Sequence, residues 1–197
     1  MNALQNLKDH LQRGKVYRRD DLSKWSTAVD RHLKALVKSG DLNKLSGGLY
    51  YHPKQTAFGS APAADEELVA AFLKDDRFLL TSPNDYNALG VGSTQLYNET
   101  VVYNHKRHGR FSLGGRIFDF RMKPSFPKSV SKEFLLVDLV NNLDRLAEEK
   151  TAVLDRVKKL AANLDNNRLL EASRHYGLVR TKKFFAALTE GASSHAA

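Results

Sequence analysis

The sequence predicts an α+β protein: an N-terminal winged helix-turn-helix, then a mixed α/β domain with a C-terminal helical segment. Three observations predict it. Leucines recur at helical spacing before Gly40, and two short extended runs meet at a glycine pair directly afterwards. Beyond a stretch rich in Pro, Ala, Gly and Ser, strand-like runs alternate with amphipathic segments.

Leu4, Leu7 and Leu11 share one helical face before Gly14 stops the helix. "KVYRR" reads as a short extended segment around Val16 and Tyr17. "DDLSKW" reads as a short second helix, its acidic first turn favoured by the helix dipole. Ser26 is a good N-cap for a third helix, which ends where Gly40 can turn left-handed. "DLNKL" and "LYYHP" flank Ser46, Gly47 and Gly48 as two strands around a turn. "PKQTAFGSAPAAD" reads as a linker, placing one domain at 1–57 and the next at 65–190.

In the second domain "DEELVAAFLKD" is a helix, "RFLLTS" a buried strand, and "PNDYNALG" a helix opened by proline and closed by glycine. "ETVVYN" is a strand, and "RFSLGGRIFDFRMKP" a hairpin about Gly114-Gly115. "KEFLLVDLVNNLDRL" returns to helix, Val153, Val157, Leu160 and Leu164 form the stripe of another, and a final pair splits near Gly177. Residues 191–197 read as a disordered tail. Tyr97, Tyr103, Phe111, Phe118 and Phe120 sit at strand spacing and read as core.

Composition narrows the function. The 31 basic and 22 acidic residues give a net charge of +9, which suggests a polyanionic partner. The charge is not evenly spread: residues 1–59 hold 11 basic and 5 acidic residues, and residues 101–132 hold 8 and 1. No cysteine is present, which excludes disulfides, thiolate catalysis and cysteine-ligated zinc. No run of about 18 apolar residues suggests a membrane span, and the charged N-terminus is unlike a secretory signal. A cytoplasmic protein is expected.

The third helix has two faces. Arg31, Lys34 and Lys38 lie within about 40° of Thr27, and Val29, Leu33 and Leu36 lie on the opposite side. A recognition helix needs such a division, one side holding the domain together while the other enters the major groove. Arg31 suits a bidentate contact with guanine, and Lys34 either base or phosphate. Lys38 adds to the same face. Ser26 and Thr27, at the helix start, suit a phosphate. Lys44, Ser46 and the tip glycines would let the hairpin approach the backbone or minor groove.

The runs "GKVYRRDDL…STAVDRHLKALVKSGDLNKLSGGLYYHPK" and "FLLTSPNDYNALGVGSTQLYNETVVYNHKRHGRF" resemble the AbiEi-like antitoxin family. Most of residues 12–146 share the resemblance, and "SPNDYNALGVGSTQLYN" and "VVYNHKRHGRF" are its most particular pieces. "RHYGLVRTKKFF" is also similar. The resemblance implies a transcriptional regulator of a type IV (AbiE-type) toxin–antitoxin system. Its N-terminal winged helix would repress its own operon at promoter repeats in double-stranded DNA. Its C-terminal domain would counteract a partner toxin of the nucleotidyltransferase type. A monomer or weak dimer, cooperative on DNA, fits such repeats.

"NHKRHGR" forms a second basic block. His105 and His108 lack a nearby acidic or third ligand, so no metal is expected. Lys106, Arg107 and Arg110 join the two histidines as a second contact for phosphate or for the partner. "GVGSTQ" lacks the lysine and placement of a nucleotide-binding loop and reads as a turn. "DFRMK" has one nuclease-like acid and lysine but no further carboxylates at matching spacing. Ser82 has no G-x-S-x-G context. No catalytic residue and no cofactor is expected. A stand-alone winged-helix regulator is the alternative, and a metal-dependent nuclease the remoter one.

Overall fold

The computed structural model describes residues 3–91 and 96–193 and shows a mixed α+β protein. The chain opens with α1 (Ala3–Asp9), β1 (Val16–Arg18), α2 (Arg19–Leu22), α3 (Val29–Lys38), β2 (Asn43–Ser46) and β3 (Leu49–Tyr51). It continues through β4 (Lys54–Thr56), β5 (Gly59–Ala61), α4 (Asp65–Leu73), β6 (Phe78–Thr81), β7 (Glu99–Asn104), β8 (Gly109–Leu113) and β9 (Arg116–Met122). It closes with α5 (Lys132–Asn141), α6 (Lys150–Ala161), α7 (Asn166–Tyr176) and α8 (Val179–Ser193). Two units form: Met1–Arg77 with Lys106–Asp119, and Phe78–His105 with Phe120–Ala197.

In the first unit the leucine spacing does what it implies. Leu7, Leu22, Leu33 and Leu36 meet in one core with Val29 and Leu42, all 5% exposed or less. Burying a side chain of this size stabilises by about 1.5–3 kcal/mol, so the three short helices hold each other where none would be stable alone. β1, β3 and β2 close this core as an antiparallel sheet in that order. Tyr17 and Tyr50, directly opposite on β1 and β3, pack against it. β8 and the start of β9 belong to the same unit. Their turn, Gly114-Gly115, has φ of +57° and +79°, the pair of positive values that a two-residue hairpin turn requires. The Gly114 amide donates to the Leu45 carbonyl at 3.0 Å.

The second unit is built around α5. Its residues Glu133 to Asn141 are all buried, as expected of a helix that is apolar nearly all round, and α6, α7 and α8 pack on it. β6 and β7 pair antiparallel from Phe78↔Asn104 to Thr81↔Val101. Asp138 of α5 is 2% exposed and accepts hydrogen bonds from the Tyr86 and Tyr103 hydroxyls, each at 2.7 Å. Burial raises the pKa of Asp138, and the two hydroxyls oppose that rise. At Gly177 a Cβ would lie 2.5 Å from the Ser173 carbonyl oxygen, so the break between α7 and α8 admits only glycine.

Several elements differ from the sequence reading. The third helix starts at Val29 rather than after Ser26. "PNDYNALG" is a 3-10 helix, with Ser82 and Asp85 closing a capping box at its start. The stretch read as a linker contains the hairpin β4–β5, and the first unit runs past residue 57 to Arg77 and recruits Lys106–Asp119. Local composition sees the Pro and Gly of this stretch but not the pairing of Lys54 with Ala61. Residues 191–193 continue α8, and the rest of the expected tail, 194–197, lies outside the described residues, as does most of "GVGSTQ".

Candidate nucleic-acid interface

α3 divides as its sequence implies. Val29, His32, Leu33 and Leu36 are buried, and Thr27, Arg31, Lys34 and Lys38 are exposed. Asp30, on the same outer side, is taken by Arg19, whose Nε and Nη2 each donate to it at 2.7 Å. Arg19 is the main reason the Asp30 carboxyl lies below the usual carboxylate range. Asp30 still acts electrostatically on Lys34. Arg31, Lys38 and Lys44 make no hydrogen bond or ion pair among the described residues.

Lys44 comes from β2, opposite Tyr50 on β3. Leu33, Val37 and Tyr50 floor a groove of about 570 Å³ rimmed by Lys34, Lys38 and Lys44. Val37 is 37% exposed there. Ser46 is half-buried and pairs with Leu49 across a bulge, so Gly47 and Gly48 alone form the tip. Gly48 has φ +73°, and a Cβ on either glycine would meet nothing within 4 Å. The tip is open to close approach by another molecule.

Ser26 corrects the sequence reading. It is 6% exposed, and its Oγ lies 2.7 Å from His32 Nδ1 and accepts the Ala28 amide at 3.2 Å. The hydroxyl therefore turns inward, ordering the turn before α3, and offers nothing at the surface. His32 was the missed partner. It lies at the edge of the apolar stripe, where a polar ring must find a hydrogen bond once buried.

The second basic block is divided. The unit boundary falls between His105 and Lys106. His105 Nδ1 donates to the Lys123 carbonyl at 2.9 Å, and its ring stacks on Phe126. Lys106 Nζ donates to the Lys74 carbonyl at 2.8 Å and lies 3.1 Å from Asp75. Arg107 stacks over Phe72 with its guanidinium carbon 4.5 Å from the ring centre. His108 and Arg110 are exposed. Among the described residues no three His, Cys, Asp or Glu side chains are grouped to hold a metal ion.

Sequence reasoning missed Arg18, Arg19 and Lys74, which share a cavity with Arg107 and the hairpin tip. "KVYRR" gave a weak signal for the two arginines. Nothing local marks Lys74, which is placed by the left-handed end of α4.

Among the described residues no helix is long and apolar enough to cross a membrane. No family model matches the chain, and no curated protein matches it. The fold is similar to the crystal structure of the RV2827C protein from Mycobacterium tuberculosis, with a TM-score of 0.58. The likeness covers 95% of this chain and 74% of that one at 14% identity, and at that identity it bears on the fold alone.

Proposed function

We propose that the first unit holds a winged helix-turn-helix and that the protein is a double-stranded DNA-binding repressor of its own promoter. In this reading α2 and α3 are the helix-turn-helix, α3 enters the major groove, and the β2–β3 hairpin is the wing. One observation carries it: Arg31, Lys38 and Lys44 present charge with no partner among the described residues, on the side of α3 opposite its buried stripe and on the adjoining strand. Cations left uncompensated release counterions when they meet phosphates, which is the main source of affinity for DNA. Arg31 supplies base readout, Thr27 and Lys38 phosphate contacts, and Lys34 either. Ser46 contributes only by pairing with Leu49 at the base of that tip.

The antitoxin role rests on the resemblance carried by "SPNDYNALGVGSTQLYN" and "VVYNHKRHGRF". It implies that the C-terminal domain read at 65–190 counteracts a nucleotidyltransferase-type toxin. A gel-shift titration against the native promoter and a scrambled duplex, at two salt concentrations, tests the DNA reading. A salt-sensitive preference of about a thousandfold or more supports it, and equal weak binding to both duplexes defeats it. Growth rescue on co-expression with a nucleotidyltransferase-type toxin encoded beside the gene tests the second role, and the lack of such a gene or of rescue leaves a plain regulator.

A further inference from the structure

Four cations from separate turns of the first unit converge on one cavity of about 300 Å³ beside the hairpin tip. Arg18, Arg19, Lys74 and Arg107 line it, together with the backbone of Gly47 and Gly48. Each cation is held in place by something other than solvent. Arg18 donates through Nε and Nη2 to Asp21 at 2.7 and 2.9 Å, and Arg19 does the same to Asp30. In both, the pairing uses one edge of the guanidinium and leaves Nη1 outside it. Arg107 is stacked on Phe72.

Lys74 is held by its backbone. It has φ +55° and ψ +42°, and is the sole non-glycine residue with positive φ among the described residues. Glycine or asparagine is the ordinary occupant of that conformation. A lysine kept there at a conformational cost points to use of its side chain. Asp20 is the one acid lining the cavity among the described residues. It lies 3.6 Å from Lys74 Nζ and 3.8 Å from Arg19 Nη1, too far for a good hydrogen bond to either.

We propose that this cavity is a phosphate-binding site, with Lys74 and Arg107 as its principal charge donors and Arg18 and Arg19 as oriented guanidiniums. Planar, pre-oriented guanidiniums suit a phosphate group, and the bare glycine tip admits it closely. Asp20 is the competitor that the phosphate displaces. The phosphate comes from the backbone of bound DNA beside the wing, and that part rests on the function proposed above. A free phosphorylated small molecule offers the same chemistry.

The test is a titration of the full-length protein with inorganic pyrophosphate at constant ionic strength, read by amide shifts at Gly47 and Gly48. Saturable shifts confined to the cavity are expected. Arg107→Ala with Lys74→Gly, which keeps the left-handed backbone, should weaken binding at least about tenfold. Asp20→Asn should tighten it about threefold by removing the competing carboxylate. Unsaturable, spread-out drift, or equal affinity in all three proteins, overturns the site.

Promoter duplex added last separates the sources. Displacement of pyrophosphate assigns the seat to the DNA backbone, as proposed, whereas independent binding overturns that assignment and leaves a site for a free phosphorylated ligand. If the duplex fails to bind at all while pyrophosphate still saturates, the DNA reading falls and the phosphate site stands.

Discussion

Two groups of cations in this protein look alike as text and differ as chemistry. On α3 and β2, Arg31, Lys38 and Lys44 have no partner among the described residues. In the block at 105–110, Lys106 is tied to Asp75 and a backbone carbonyl, Arg107 lies on a ring, and His105 is bonded to Lys123. A polyanion gains the full counterion release at the first group. At the second, Lys106 must break or share its pairing with Asp75, so part of that gain is offset. Charge counted along the sequence rates the two blocks as equals, whereas pairing separates them.

The comparison breaks most visibly under charge reversal. Arg31→Glu, Lys34→Glu and Lys38→Glu together should weaken promoter binding on the order of a thousandfold at low salt, against about tenfold for the same change at Lys106, Arg107 and Arg110. Titration by fluorescence anisotropy gives both numbers, and the reverse order would show that the second block is the main footing. Next in size, Arg31→Ala should cost roughly 1–3 kcal/mol on the promoter and clearly less on random duplex. Equal losses would move Arg31 from base to phosphate.

Salt dependence sharpens the contrast further. Lys38→Ala and Lys44→Ala should each lower the slope of log affinity against log salt by about 0.9, the value for one phosphate contact. Lys106→Ala should change it by less, because Asp75 already neutralises that ammonium. Ser26 and Thr27 make a smaller, paired test. Ser26→Ala should lower the unfolding free energy by about 1–2 kcal/mol, since it strips His32 and Ala28 of a buried partner. Its effect on DNA affinity should be slight. Thr27→Ala should do the opposite in both measurements.

The smallest effect is a pH dependence. Hydrogen bonds from Arg77, and then from Lys106, hold Asp75 well below the usual carboxylate range. A carboxyl depressed on folding contributes stability above its unfolded pKa, near 3.9, and loses it only as pH falls through the lower folded value. Asp75 therefore stays charged, and Lys106 held, through the range around pH 4 in which a free aspartate takes up its proton. Carbon-detected NMR should show the Asp75 carboxyl still ionised at about pH 3.9, where a free aspartate is half protonated, and a midpoint near 4 would mean that Lys106 is in practice as available as Lys38.

Much of this was legible along the chain. The helical spacing of Leu4, Leu7, Leu33 and Leu36 placed the first core, and Gly114-Gly115 fixed a hairpin, because both signals are local and periodic. The two-sided character of α3 was legible for the same reason. What escaped was decided at a distance. Ser26 looked like a cap because nothing near it announces that His32 will take its hydroxyl. "PKQTAFGSAPAAD" looked like a linker because cross-strand pairing is not written in composition. Lys106 looked available because Asp75 lies 31 positions earlier, and the meeting of Arg107 with Gly47 around one cavity depends on a return of the chain that no motif records.

That return has a consequence for how the protein is made. The chain passes from one unit to the other three times, after Arg77, His105 and Asp119. During synthesis the first unit stays unfinished until Asp119 has left the ribosome, with a strand pair of the other unit already emerged. A transcript truncated between the codons for Arg77 and Lys106 therefore yields α1 to α4 without the buried Leu113 and Phe118 and without the Gly114 amide that bonds the Leu45 carbonyl. Recombination meets the same constraint: a single crossover at any of the three passages leaves at least one unit assembled from two parents.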